Sequence, residues 1–164
     1  MSRSGEEILN IFIDTEFTDF INSQLISIGL VAASGEEFYA EVPYFEPACS
    51  TFVKEVVIPL LGEPQGAACS TRELGERLFT WLELVRSGNE TLEICFDFQT
   101  DWDLFANALG GSVPIWCQAR LIGREINELL RYEFHKRNQL PEHHALYDAQ
   151  AMRYAFRERT PVSF

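Results

Sequence analysis

Apolar residues along this chain come first in short runs of strand length and later at helical spacing. Residues 8–13, 24–31 and 36–43 read as three strands, and the turn Ala33-Ser34-Gly35-Glu36 joins the second and third into an antiparallel hairpin. Pro43 and Pro47 mark residues 44–49 as a loop, and Ser50 can cap a helix running to about residue 60, where Pro59, Gly62 and Pro64 break it. From Thr71 the period changes: Leu74, Leu78, Trp81, Leu82 and Val85 recur at helical spacing, which predicts an amphipathic helix to about residue 86. Residues 91–96 read as a fourth strand and residues 101–109 as a helix stopped by Gly110-Gly111. Residues 113–116 read as a short fifth strand, near a sheet edge because of Pro114. Helices over 121–136 and 145–158 close the chain, separated by Asn138-Gln139-Leu140-Pro141. A meander followed by strand-helix alternation predicts one α/β domain over residues 1–164, with a mixed sheet covered by helices on both faces.

Composition narrows the class. A chain of 164 residues that is 46% hydrophobic, with 13 Phe and 3 Trp, can bury an aromatic-rich core. No apolar run approaches the roughly 20 residues of a membrane span, so a soluble protein is expected, with no membrane partner. Residues 1–7 lack the apolar stretch of a secretion signal, and Cys49, Cys69, Cys95 and Cys117 form no Cys-x-x-Cys pair. Free thiols in a reducing cytoplasm are therefore expected, not a zinc site or disulfides.

The chemistry concentrates at the two ends of the sequence. Asp14 and Glu16 follow the apolar run of the first strand two residues apart, so their side chains share one face of it. Two carboxylates held close on a buried strand repel each other and resist desolvation unless a cation neutralises them. A hard divalent metal is the economical choice. Near the other end, His143 precedes Asp148 by five residues at the start of a helical pattern, and a third acid from the middle would complete a metal site. Asp97, Asp101 and Asp103 are the candidates, with Asp101 favoured. His144 and His135 are expected to face solvent.

In order and spacing these residues resemble the DEDDh 3′-to-5′ exonucleases. Asp14-Thr15-Glu16 is similar to that family's Asp-x-Glu motif, and His143-His144-Ala145-Leu146-Tyr147-Asp148-Ala149 to its final His-x4-Asp motif. Asp97-Phe98-Gln99-Thr100-Asp101, followed by Leu104 and Phe105, matches the middle motif in spacing, with Phe96-Asp97 where His-Asn is common. His144 occupies the position where the DEDDy relatives carry Tyr, so the His subclass is favoured. The overall form resembles the small stand-alone exoribonucleases related to RNase T and oligoribonuclease, most closely a bacterial group with an Asp-Thr-Glu-Phe opening.

The resemblance implies a ribonuclease H-like fold with a five-stranded mixed sheet and two Mg²⁺ or Mn²⁺ ions. In the family pattern Asp14 bridges the ions, Glu16 and Asp148 complete the site of the ion that activates water, and Asp101 binds metal or its water shell. His143 is the general base, a role suited to the side chain that titrates near neutrality. Phe17 and Thr18 stand where the family grips the terminal nucleotide, and Phe17 or Phe20 could stack its base. The expected activity is 3′-to-5′ hydrolysis of single-stranded RNA by a two-metal mechanism, with a homodimer implied by the same likeness. A DNA exonuclease, a small-nucleotide phosphohydrolase and a non-catalytic binding module remain alternatives. The net charge of −12, with 25 acids against 13 bases, points to contact with only a few phosphates.

Overall fold

A computed structural model describes residues 7–159. The opening segment, read above as carrying no secretion signal, lies almost wholly outside the described residues. Five strands form one mixed sheet in the order β3-β2-β1-β4-β5: β1 Ile8–Phe17, β2 Leu25–Ala32, β3 Glu37–Glu41, β4 Thr91–Phe96 and β5 Cys117–Leu121. The first three are antiparallel neighbours, whereas β4 lies parallel to β1 and β5 parallel to β4. The helices are α1 Thr71–Val85, α2 Gln99–Ala108, α3 Glu128–Asn138 and α4 Ala145–Ala155.

Alternation along β1 sorts its side chains between the two faces. Ile11 and Ile13 join Leu74, Leu78 and Leu82 of α1 and Phe105 of α2 in the main core. Each leucine so buried contributes about 1.5–3 kcal/mol. Phe12 points the other way and packs with Met152 and Ala155 of α4. Asp14 and Glu16 have the parity of Phe12, so they continue the α4 face, as the sequence spacing predicted.

β2 meets α4 at Gly29, which pairs with Asp14 across the sheet. A Cβ at Gly29 would lie 2.5 Å from the Ala145 carbonyl oxygen and 2.6 Å from Leu146 Cα, so only glycine lets the first turn of α4 come this close. Gly29→Ala should therefore lower stability by about 1–3 kcal/mol. Denaturant midpoints read the loss. Unchanged values would mean that α4 can shift without cost.

Several boundaries differ from the sequence reading, among them the end of β1, which runs on to Phe17. The fifth strand is Cys117–Leu121, not 113–116, because the Cys117 N–H closes a turn on the Pro114 carbonyl at 2.9 Å and leaves Ile115 93% exposed. The third helix begins only at Glu128, where the Asn127 side chain accepts the Leu130 N–H at 3.1 Å. Residues before it are held by a bridge between Ile126 and Phe156, and the same bridge ends α4 at Ala155 instead of 158. The segment after Ser50 is helical as expected, but winds as a π turn over Val53–Val57 and a 3₁₀ turn over Ile58–Leu60. Pro59 supplies no N–H there. No helix among the described residues is long and apolar enough to cross a membrane.

Candidate metal centre and cleft

Four elements deliver acids to one end of the sheet. β1 extends through Asp14 and Glu16, Asp97 follows β4 directly, and Asp101 and Asp148 lie in the first turns of α2 and α4. An acid in a first helical turn is favoured by the helix dipole. Asp101 is 2% exposed, and its Oδ1 accepts the Thr15 hydroxyl at 2.6 Å and the Thr15 N–H at 3.2 Å. Thr15, on the opposite face of β1 from Asp14, thereby fastens α2 to that strand. His143 has φ +67°, which aims its main-chain N–H at both Asp148 oxygens, 3.2 and 3.1 Å away. Its ring meets Phe52 edge-on at 4.9 Å.

The side chains gather in two groups, each with ligand atoms within 4.8 Å of one another: Glu16, His143 and Asp148 in one, Asp14, Asp97 and Asp101 in the other. Asp101, the acid favoured by the sequence, and Asp97 both lie beside Asp14 in the second group. Asp103 is exposed and accepts a hydrogen bond from Gln99 at 3.1 Å.

Electrostatics make this assembly unfavourable without cations. Burial, then Asp101, Asp148, Glu16 and Asp97, holds the Asp14 carboxyl well above its ordinary range. Burial and Asp148 push Glu16 up to about 9. Burial raises Asp101 to about 7, although the Thr15 hydrogen bonds pull the other way. Asp14 Oδ2 is shielded from solvent and has no hydrogen-bond donor among the described residues, a cost that a cation would remove. The donor set is all carboxylate apart from one imidazole and suits hard divalent ions.

Below the ordinary carboxylate range both folded and unfolded states hold these protons. As pH rises, the unfolded chain releases them first while the folded site retains them, so stability falls until pH passes about 9 for Glu16. In chelator the melting temperature should therefore decline between about pH 5 and 9, and excess Mn²⁺ should raise it most at the alkaline end. A flat profile in chelator would show that the carboxylates ionise freely.

A cleft of about 620 Å³ opens over the acids, with Phe17, Phe20, Phe52, Phe98 and His143 on its walls. Phe20 stacks edge-on against Phe17 at 5.5 Å and Phe98 at 5.8 Å. Thr18 corrects one expectation. It is 1% exposed, and its hydroxyl accepts the Gln24 N–H at 3.1 Å, so its side chain pins the loop instead of facing the cleft.

Both remaining histidines are buried, against the expectation of solvent exposure. His144 is 2% exposed, sandwiched by Tyr39 and Tyr147, with Nε2 2.6 Å from the Glu63 carbonyl oxygen. His135 Nδ1 donates to the Leu140 carbonyl at 3.1 Å, and Nε2 faces Asp148 Oδ1 at 3.3 Å. Asp148 raises the His135 pKa. One turn earlier on α3, Arg131 Nη1 meets Asp97 Oδ2 at 2.8 Å. The sequence signal for these partners was only their four-residue spacing within a helical stretch; nothing in it says that α3 backs onto the acids.

Compared by sequence, the chain matches no protein-family model and no curated protein. Compared by structure, it superposes on the nuclease domain of 3′hExo, a DEDDh family member bound to rAMP, with a TM-score of 0.58 at 14% identity, covering 92% of this chain and 90% of that one. The chain has the fold of the DEDDh exonucleases. A full-length 3′-exonuclease gives a TM-score of 0.56 at 13% identity over 90% of this chain and 79% of the other. The 3′-exonuclease from a study of histone mRNA stem-loop recognition gives 0.55 at 14% identity, covering 88% of this chain and 61% of that one. The DEDDh exonuclease fold is ribonuclease H-like, in agreement with the five-stranded mixed sheet and its two helical faces.

Proposed function

We propose that this protein is a metal-dependent 3′-to-5′ exonuclease that shortens single-stranded RNA. The observation carrying the proposal is the pair of adjoining ligand groups at the floor of the cleft, one of them including His143. Asp14, Glu16 and Asp148 would hold one ion, and Asp14 with Asp101 the other. When bound, such ions stabilise charge on the attacking and leaving oxygens of a phosphodiester. His143 acts as general base. Its ring lies within 4.8 Å of the Glu16 and Asp148 oxygens, a gap that one hydrogen-bonded water spans, and Phe52 limits its swing.

The aromatic walls suit unstacked bases, which favours single strands over duplex ends. Ser50 and Asp19 at the cleft supply polar partners for a terminal ribose, whose 2′-hydroxyl DNA lacks. That a neighbour of the same fold binds rAMP supports the ribonucleotide reading. With a charge of −12, contact is confined to a few terminal phosphates, and release is frequent. The four cysteines, all free and buried, fit a cytoplasmic location.

Paired 5′-labelled oligomers test the substrate. RNA with a free 3′-hydroxyl should be cut faster than DNA, duplex ends or RNA ending in 3′-phosphate. Faster cleavage of DNA would leave the chemistry standing and overturn the choice of sugar.

A further inference from the structure

We infer that Asp97 is a fifth carboxylate of the metal centre, and that Arg131 balances its charge. The inference rests on the metal-dependent reading above and extends its ligand set. Asp97 has a ligand oxygen within 4.8 Å of those of Asp14 and Asp101, and Oδ2 of that Asp14 is buried with no donor among the described residues. Among the described hydrogen bonds only Oδ2 of Asp97 is engaged, by Arg131 Nη1 at 2.8 Å, which leaves the other oxygen for an ion. Both side chains are about three-quarters buried, at 24% and 26% exposed, so the pair is fixed.

Charge accounting gives the pair its purpose. Asp14, Glu16, Asp101 and Asp148 carry four negative charges when ionised, which two divalent ions cancel. Asp97 adds a fifth that the ions leave unmatched. Arg131 brings a permanent positive charge from α3 to Asp97, as His135 of the same helix faces Asp148, and is held in turn by the exposed Glu128 at 3.0 Å. A guanidinium suits this position, because it stays protonated and donates in a fixed fork that orients a carboxylate. Asp97 is thereby a direct ligand and Arg131 a positioning residue.

Calorimetric titration of the metal-free full chain with Mn²⁺ tests this. Asp97→Asn keeps an oxygen for Arg131 but removes the ligand charge, so one of two Mn²⁺ binding events should weaken roughly 10- to 100-fold. Asp103→Asn makes the same change of charge on the exposed side of α2 and should leave both events unaltered. Asp14→Asn should weaken both. If Asp97→Asn binds Mn²⁺ like Asp103→Asn while Asp14→Asn loses it, Asp97 belongs only to a structural ion pair and the inference falls. If wild type binds no Mn²⁺, or Asp14→Asn binds it normally, the metal centre itself is overturned. Should Asp97→Asn not fold, Asp97→Ser is titrated in its place with the same expected loss.

Discussion

Asp14→Asn should reduce nuclease activity to background, a loss on the order of 10⁴-fold or more, while the metal-free protein becomes harder to unfold. The two effects have one cause. Asp14 belongs to the group with Asp97 and Asp101 and feels the charges of Glu16 and Asp148 in the other, with one oxygen shielded from solvent and without a donor among the described residues. Four other acids raise its pKa further. The amide removes the repelling charge at almost constant volume, so the chelated variant should melt above wild type at pH 8. On the proposed ligand set the same change removes a ligand from each ion, so the rise in melting temperature that Mn²⁺ should give wild type should be lost. A variant that is inactive and also less stable in chelator would indicate that Asp14 serves the fold, not the ions.

Exchanging the two adjacent histidines for alanine should produce opposite phenotypes. His143→Ala should lose roughly 10²- to 10⁴-fold in turnover, the range for a general acid or base, and keep Mn²⁺ binding and thermal stability. His144→Ala should retain turnover in whatever fraction remains folded, but lose about 1–3 kcal/mol of stability. It gives up ring contacts at 4.6 and 3.9 Å and strands the Glu63 carbonyl. The left-handed backbone at His143 is what turns these neighbours in different directions. Kinetics and denaturant melts on both variants separate the roles, and a reversal would move the base to His144.

Where the sequence was legible, the signal was local and periodic. Two-residue alternation put Asp14 and Glu16 on one face of β1, and helical spacing located α1 with its leucines. The five-residue step from His143 to Asp148 was readable because it lies within one helix start. The misplaced elements depend on distant partners. β5 alternates apolar and polar residues over only five positions and, as an edge strand, buries only Cys117, so the more apolar segment at 113–116 read as the strand instead. The start of α3 and end of α4 are set by a bridge between residues 30 positions apart, Ile126 and Phe156. Asp97 and Arg131 are separated by 34 residues, and His135 meets Asp148 only because α3 packs on α4. Thr18 read as a substrate contact from its place beside the metal motif; its actual partner is Gln24 across a loop.

The most direct measurement follows a 5′-labelled single-stranded RNA incubated with the wild-type chain and Asp14→Asn, with Mg²⁺, with Mn²⁺ and with chelator, beside a circular RNA of the same composition. Stepwise shortening from the 3′ end by wild type with either ion, its disappearance in chelator and in Asp14→Asn, and an intact circle are the expected results. No shortening with either ion, or shortening that persists in chelator, would contradict a metal-dependent nuclease, and cleavage of the circle at the same rate would contradict an exonuclease.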